Sequence, residues 1–155
     1  MDSKISRKRS SGIGSKKPPE HYHQSRGHEL NANETVVHKI LSKAKQPMSA
    51  YDIIPEMTKT LGRAIAPPTV YRALQHLENE GLVSRIESKN AYVLCTHPGE
   101  EHDCLFFICR KCGKAMEAPD KKISQMVRKE AQGLGFSASK QILEVLGVCE
   151  ACSAG

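Results

Sequence analysis

The sequence predicts an α+β chain made of two small units: an N-terminal winged helix-turn-helix domain and a small C-terminal α/β domain that needs a staple. Three observations predict it. Three segments with helical periodicity come before any strand, two short strand-like runs follow them directly, and two Cys-x-x-Cys pairs bracket the C-terminal part of the 155 residues. Two units in a chain of this length have thin cores. With no Trp, 5% aromatics and six Cys, metal or cross-links are the natural supplement to apolar burial.

The first helix is expected in NANETVVHKILSKA, where Val36, Val37, Ile40, Leu41 and Ala44 share a face, and where Asn31 and Glu34 have capping-box spacing. The second has its start signal at Ser49 in SAYDIIPEMTKTLG, with Asp52 three residues on and Ile53, Ile54, Met57 and Leu61 as its stripe. Pro55 lies beyond the first turn and is expected to kink or shorten this helix. The third, in APPTVYRALQHLENEG, has Pro68 suited to the first helical position, Val70, Leu74 and Leu77 on one face, and Gly81 as its C-terminal stop. Thr69, Arg72 and His76 project from the other side. LVSRIE and AYVLC, separated by SKN, then read as a β-hairpin.

Three helices and a hairpin is the order of a winged helix-turn-helix, whose third helix enters the major groove. A small helical domain in which Arg72 is only a solvated charge fits the same pattern. Beyond His97, CLFFIC reads as a buried strand, GKAMEA as its short partner, DKKISQMVRKEAQGLG as an amphipathic helix with Ile123, Met126, Val127 and Leu134 on one side, and QILEVLGVC as a returning strand.

The net charge is +6, and residues 1–27 carry seven Lys/Arg against Asp2 and Glu20, so +5 of it lies in that segment. Rich in Ser, Gly, Lys and Pro, it cannot bury enough surface to order itself. It is either a solvated extension or an arm that seeks phosphates without reading sequence. No apolar leader or membrane-length window is found, so a cytoplasmic location is expected, where thiols stay reduced and Cys pairs hold metal.

Cys109-Arg-Lys-Cys112 and Cys149-Glu-Ala-Cys152 each follow a predicted strand. Four thiolates complete a tetrahedron and leave no open position, which is the chemistry of a structural zinc site. A redox Cys-x-x-Cys would instead need one active dithiol in a βαβ setting. A second set, Cys95, His97, His102, Cys104 and Glu117, crowds one stretch. Small buried cysteines and solvated histidines account for such a set as well, but its density favours a second, mixed-ligand metal site. With fewer thiolates it would bind more weakly and empty when metal is scarce.

SAYDII, APPTVYRAL, EGLVSRIESKNAYVLC, FICRKCG and GVCEAC, in this order over residues 28–152, resemble the ferric uptake regulator family, most closely its zinc uptake regulator branch. The resemblance implies a homodimeric, metal-dependent repressor that binds double-stranded operator DNA when loaded with zinc (Zn2+) and controls zinc-uptake genes. It implies base contacts for Tyr51 and Arg72, with Thr69 and Tyr71 as phosphate partners, and Cys109, Cys112, Cys149 and Cys152 as structural zinc ligands. Cys95, His102 and Glu117 match regulatory ligands of the zinc branch. The fourth, typically a His, falls here on Ser84, a poor zinc donor. Cys104, His97 or water must then fill the position, and Cys104, two residues from His102 on a predicted strand, is favoured.

The expected division is a basic tail at 1–27, a winged-helix DNA-binding domain at 28–97 and a dimerisation and metal-binding domain at 98–155. A sister regulator answering to iron, manganese or peroxide would keep this fold, and a zinc-storage or delivery protein would keep the ligands without reading DNA. An enzyme is not expected. The chain lacks a Ser/His/Asp set, a phosphate-cradling Gly loop and an H-E-x-x-H motif.

Overall fold

The computed structural model describes residues 29–98, 103–118, 120–138 and 140–154. The basic segment 1–27 and His102 lie outside the described residues.

Helix α1 (Ala32–Lys43) begins at Asn31, whose side chain accepts the amides of Asn33 and Glu34 at 3.0 and 3.1 Å, while Glu34 accepts the Asn31 amide at 2.9 Å. Helix α2 (Ala50–Leu61) begins with the same reciprocal arrangement between Ser49 and Asp52. Hydrogen bonds from the Ser49 hydroxyl and amide hold the Asp52 carboxyl below its ordinary pKa.

Pro55 does not shorten α2, which runs on to Leu61. Pro55 lies on the exposed side of the helix, while Ile53 and Met57 are fully buried on the opposite side. In α3 (Pro67–Asn79) the first helical residue is Pro67 rather than Pro68, because Ala66 is the N-cap. The helix ends at Gly81, φ 69°, with the amides of Leu82 and Gly81 bonded to the carbonyls of Leu77 and Glu78. Only a residue free to adopt positive φ closes that motif without strain.

Strands β1 (Val83–Ile86) and β2 (Ala91–Leu94) pair antiparallel around a 3-10 turn at Glu87–Lys89, with Asn90 at φ 46° completing the reversal. Met48 exchanges backbone hydrogen bonds with Tyr92 at 3.0 and 2.8 Å, tying the α1–α2 connection to the hairpin. The helices and hairpin close over Val37, Ile53, Met57, Val70, Leu74 and Leu77, all at 0% exposure. This is the winged helix-turn-helix that the pattern predicts. Leu74→Ala is expected to cost about 2–5 kcal/mol, the usual penalty for a buried cavity, read as a lower denaturation midpoint. A loss well under about 1 kcal/mol would contradict the placement of Leu74 in the core.

The second sheet has the order β4-β3-β5, with β3 (Cys104–Cys109) central, β4 (Ala115–Glu117) antiparallel to it and β5 (Ile142–Gly147) parallel to it. Parallel pairing requires a crossover, which α4 (Lys121–Gly133) supplies. One face of β3, bearing Cys104, Phe106 and Ile108, packs on Ile86 and Val93 of the hairpin. The wing therefore belongs to two cores at once.

No residue of α4 is buried: Met126 and, just beyond the helix, Leu134 are 67% and 86% exposed. On the sheet, Met116, Phe107 and Val145 form an exposed apolar row across three strands. No helix among the described residues is long and apolar enough to cross a membrane.

Candidate metal centres and nucleic-acid interface

The four knuckle cysteines come from the two adjacent parallel strands. Cys109 ends β3 and Cys112 follows it in the turn, while Cys149 is the N-cap of the short helix α5 (Glu150–Ser153) that follows β5 and Cys152 lies within that helix. Their sulfurs all lie within 4.8 Å of one another, and they are the one such group of candidate ligands among the described residues. Cys112 Sγ and Cys149 Sγ are 3.8 Å apart. Two Zn–S arms of about 2.3 Å at the tetrahedral angle give a sulfur separation of about 3.8 Å, so this pair has the spacing that a shared zinc requires.

The amides of Cys112 and Cys149 point at Cys109 Sγ at 3.5 and 3.4 Å and lower its pKa to about 6. The neighbouring sulfurs hold Cys152 up, at about 12. Four sulfurs this close cannot all ionise unless a cation joins them.

The second set is assembled differently. Cys95, just past β2, and Cys104, at the start of β3, are both buried, and burial is the largest cause that raises both thiols, Cys95 to about 12. Ser84 lies between them, with its hydroxyl 3.5 Å from Cys104 Sγ and also hydrogen-bonded to Cys95. Ser84 is thus in contact with Cys104, the thiol expected to take the fourth regulatory position. Glu117, at the end of β4, accepts the Thr96 amide at 3.0 Å and its hydroxyl at 2.6 Å, and that hydroxyl meets His97 Nδ1 at 2.8 Å. His97 itself is exposed.

On the winged helix, Tyr51 is 69% exposed in the first turn of α2. On α3, Arg72 and Tyr71 are exposed and Thr69 is half-buried, while Val70, Ala73 and Leu74 face the core. His76 does not simply project outward, because its Nδ1 lies 3.2 Å from Glu34 Oε1 and ties α3 to α1. Apolar periodicity could not single out Glu34, because it is a charged residue only 6% exposed, although its capping-box position marked it for another role. Ser84 was visible only as a missing ligand. Its contact with both thiols depends on the hairpin meeting the second sheet.

A model of the ferric uptake regulator family matches residues 27–146. The zinc uptake regulation protein of Escherichia coli is 34% identical over 125 residues, covering 79% of this chain and 72% of that protein. A solved structure of a zinc uptake regulator complexed with zinc and DNA is similar at a TM-score of 0.78 and 32% identity, over 83% of this chain and 86% of that one. Another, of holo XcZur, is similar at a TM-score of 0.74 and 37% identity, over 84% and 90% of the two chains.

Proposed function

Because the chain belongs to the ferric uptake regulator family, a family of transcription regulators and not of enzymes, we propose that it is a zinc-responsive repressor that binds operator DNA as a homodimer and controls zinc-uptake genes. The observation that carries this reading is the pairing of a reading surface, exposed Tyr51, Tyr71 and Arg72 with half-buried Thr69, with two buried thiols, Cys95 and Cys104, where the wing meets the second sheet. Residues 28–97 form the DNA-reading half and residues 98–155 the dimerising and metal-binding half. The protein acts in the cytoplasm, where its thiols stay reduced.

The chain's own residues divide the work. Cys109, Cys112, Cys149 and Cys152 hold a permanent structural zinc. Cys95, His102, Glu117 and Cys104 hold the regulatory zinc, and the two thiols favour zinc over the harder iron and manganese ions. When bound, zinc would cross-link the two halves through these side chains. Cys95 on the wing side and Glu117 on the sheet side then keep one relative orientation, which in a dimer sets the separation of the two α3 helices. The exposed row of Met116, Phe107 and Val145, with Met126 and Leu134, supplies the apolar face on which a second copy fits. The similarity to the zinc- and DNA-bound regulator supports taking the present arrangement of the two halves as the one that reads DNA.

The test is a titration of DNA binding against free zinc, with manganese and iron in parallel, on a palindromic duplex selected by the protein from a random-sequence pool. Zinc-dependent tightening is expected, and equal binding with the regulatory site filled or empty would refute the reading. Arg72→Ala is expected to lose about 1–3 kcal/mol of sequence discrimination, a guanidinium–guanine pair's usual contribution, with metal content unchanged. Unaltered affinity for the selected duplex would remove Arg72 from the interface.

A further inference from the structure

One contact between the two halves involves none of the residues assigned to metal. Glu144 stands mid-strand on β5, opposite Phe106 of β3. Its carboxylate reaches out to the wing turn, where Oε1 accepts the amide of Glu87 at 2.6 Å and Oε2 the amide of Ser88 at 3.2 Å. These are the first amides of the 3-10 turn Glu87–Lys89, the donors that a helical turn cannot satisfy internally. An ionised acceptor shared by two backbone donors makes a charge-assisted pair, stronger and more directional than a neutral one. The Glu87 side chain does not oppose it without compensation, because Glu87 Oε2 is 3.5 Å from Arg85 Nε.

Two other ties span the same seam. Gln46 Nε2 donates to the Cys112 carbonyl at 3.0 Å, and Lys140 Nζ lies 3.3 Å from Glu78 Oε1. The Gln46 bond ends on a knuckle carbonyl and not on the wing, and an exposed ion pair such as Lys140–Glu78 contributes little. Glu144 differs because its partners are backbone groups of the wing itself, so they fix the register of the turn against β5. Its strand leads directly into Cys149 and Cys152.

We propose that Glu144 is a positioning residue for zinc-controlled DNA binding, its carboxylate latching the wing turn to β5 so that the two halves hold the DNA-reading orientation. The proposal rests on the functional reading above. A ligand that selects one conformer has its apparent affinity reduced by the fraction of protein not in that conformer. The latch raises the competent fraction, and less free zinc is then required to bring the dimer onto DNA.

The test compares the full-length wild type with Glu144→Ala and Glu144→Gln, in the zinc titration on the selected palindromic duplex. Total zinc, amide exchange and melting temperature are measured on the same samples. Glu144→Ala is expected to keep the tetracysteine zinc, to speed exchange at the Glu87 and Ser88 amides, and to move the zinc midpoint about tenfold upward. Glu144→Gln, whose amide oxygen still accepts but carries no charge, is expected to fall between the two.

An unshifted midpoint in Glu144→Ala overturns the proposal even if melting falls, since that is the signature of a purely structural contact. Unchanged exchange at Glu87 and Ser88 overturns it as well. A wild type that ignores zinc overturns the functional reading and the latch together, whereas a zinc-responsive wild type beside an unshifted Glu144→Ala overturns the latch alone.

Discussion

Removing the ion from Cys109, Cys112, Cys149 and Cys152 is expected to unfold the C-terminal half while the three-helix half survives. The core of that half is small. Leu105, Phe106 and Ile108 are buried on β3, but α4 buries nothing and β5 has no fully buried residue. Structural zinc contributes apparent free energy on the order of 10 kcal/mol in small domains, comparable to the whole stability of an ordinary one. The cluster also closes the parallel pair β3–β5 at its C-terminal end, where the Arg110 amide still bonds the Gly147 carbonyl at 2.9 Å. Chelation followed by limited proteolysis should cut within residues 103–154 and spare 29–98. Full protection of 103–154, with the cluster shown by metal analysis to be empty, would refute the staple role.

Cys95→Ala is expected to abolish the zinc response of DNA binding while leaving a folded dimer that keeps its tetracysteine zinc. Cys95 sits at the exit of the wing hairpin, its amide bonded to the Leu82 carbonyl at 3.0 Å, so it moves with the wing. Cys104 and Glu117 move with the second sheet. Without Cys95 the remaining described candidates, Cys104 and Glu117, both belong to one half, and zinc bound there would have no preference for an orientation of the other. A ligand without differential affinity shifts no equilibrium. The measurement pairs zinc stoichiometry with the DNA titration, and a retained zinc response in Cys95→Ala would remove Cys95 from the switch.

The contrast between these two centres also explains what each demanded of the sequence. The structural site is written in two short motifs, each a local turn after a strand, and four sulfurs need only the strands to pair side by side. The proposed regulatory site has no such motif. Its described members come from the end of one hairpin, the start of a strand and the end of another.

Local chemistry was therefore readable in advance. The Asn31–Glu34 and Ser49–Asp52 caps, the Gly81 stop, the stripe through Val70, Leu74 and Leu77, and both Cys-x-x-Cys knuckles involve residues a few positions apart, where propensity and hydrogen bonding act without help from the fold. Pro55 shows the limit of that reasoning: with Ile53 and Met57 buried, the helix runs its full length through a residue expected to kink or shorten it.

What only the tertiary structure decided involves partners far apart in the chain: Ile86 of the wing inside the core of the second sheet, Ser84 against Cys104, His76 on Glu34, and Glu144 on the amides of Glu87 and Ser88. Short-range patterns report which face of an element is apolar, not which other element will cover it. That choice is made by packing two thin cores against each other, and the seam it creates is where the proposed switch lies.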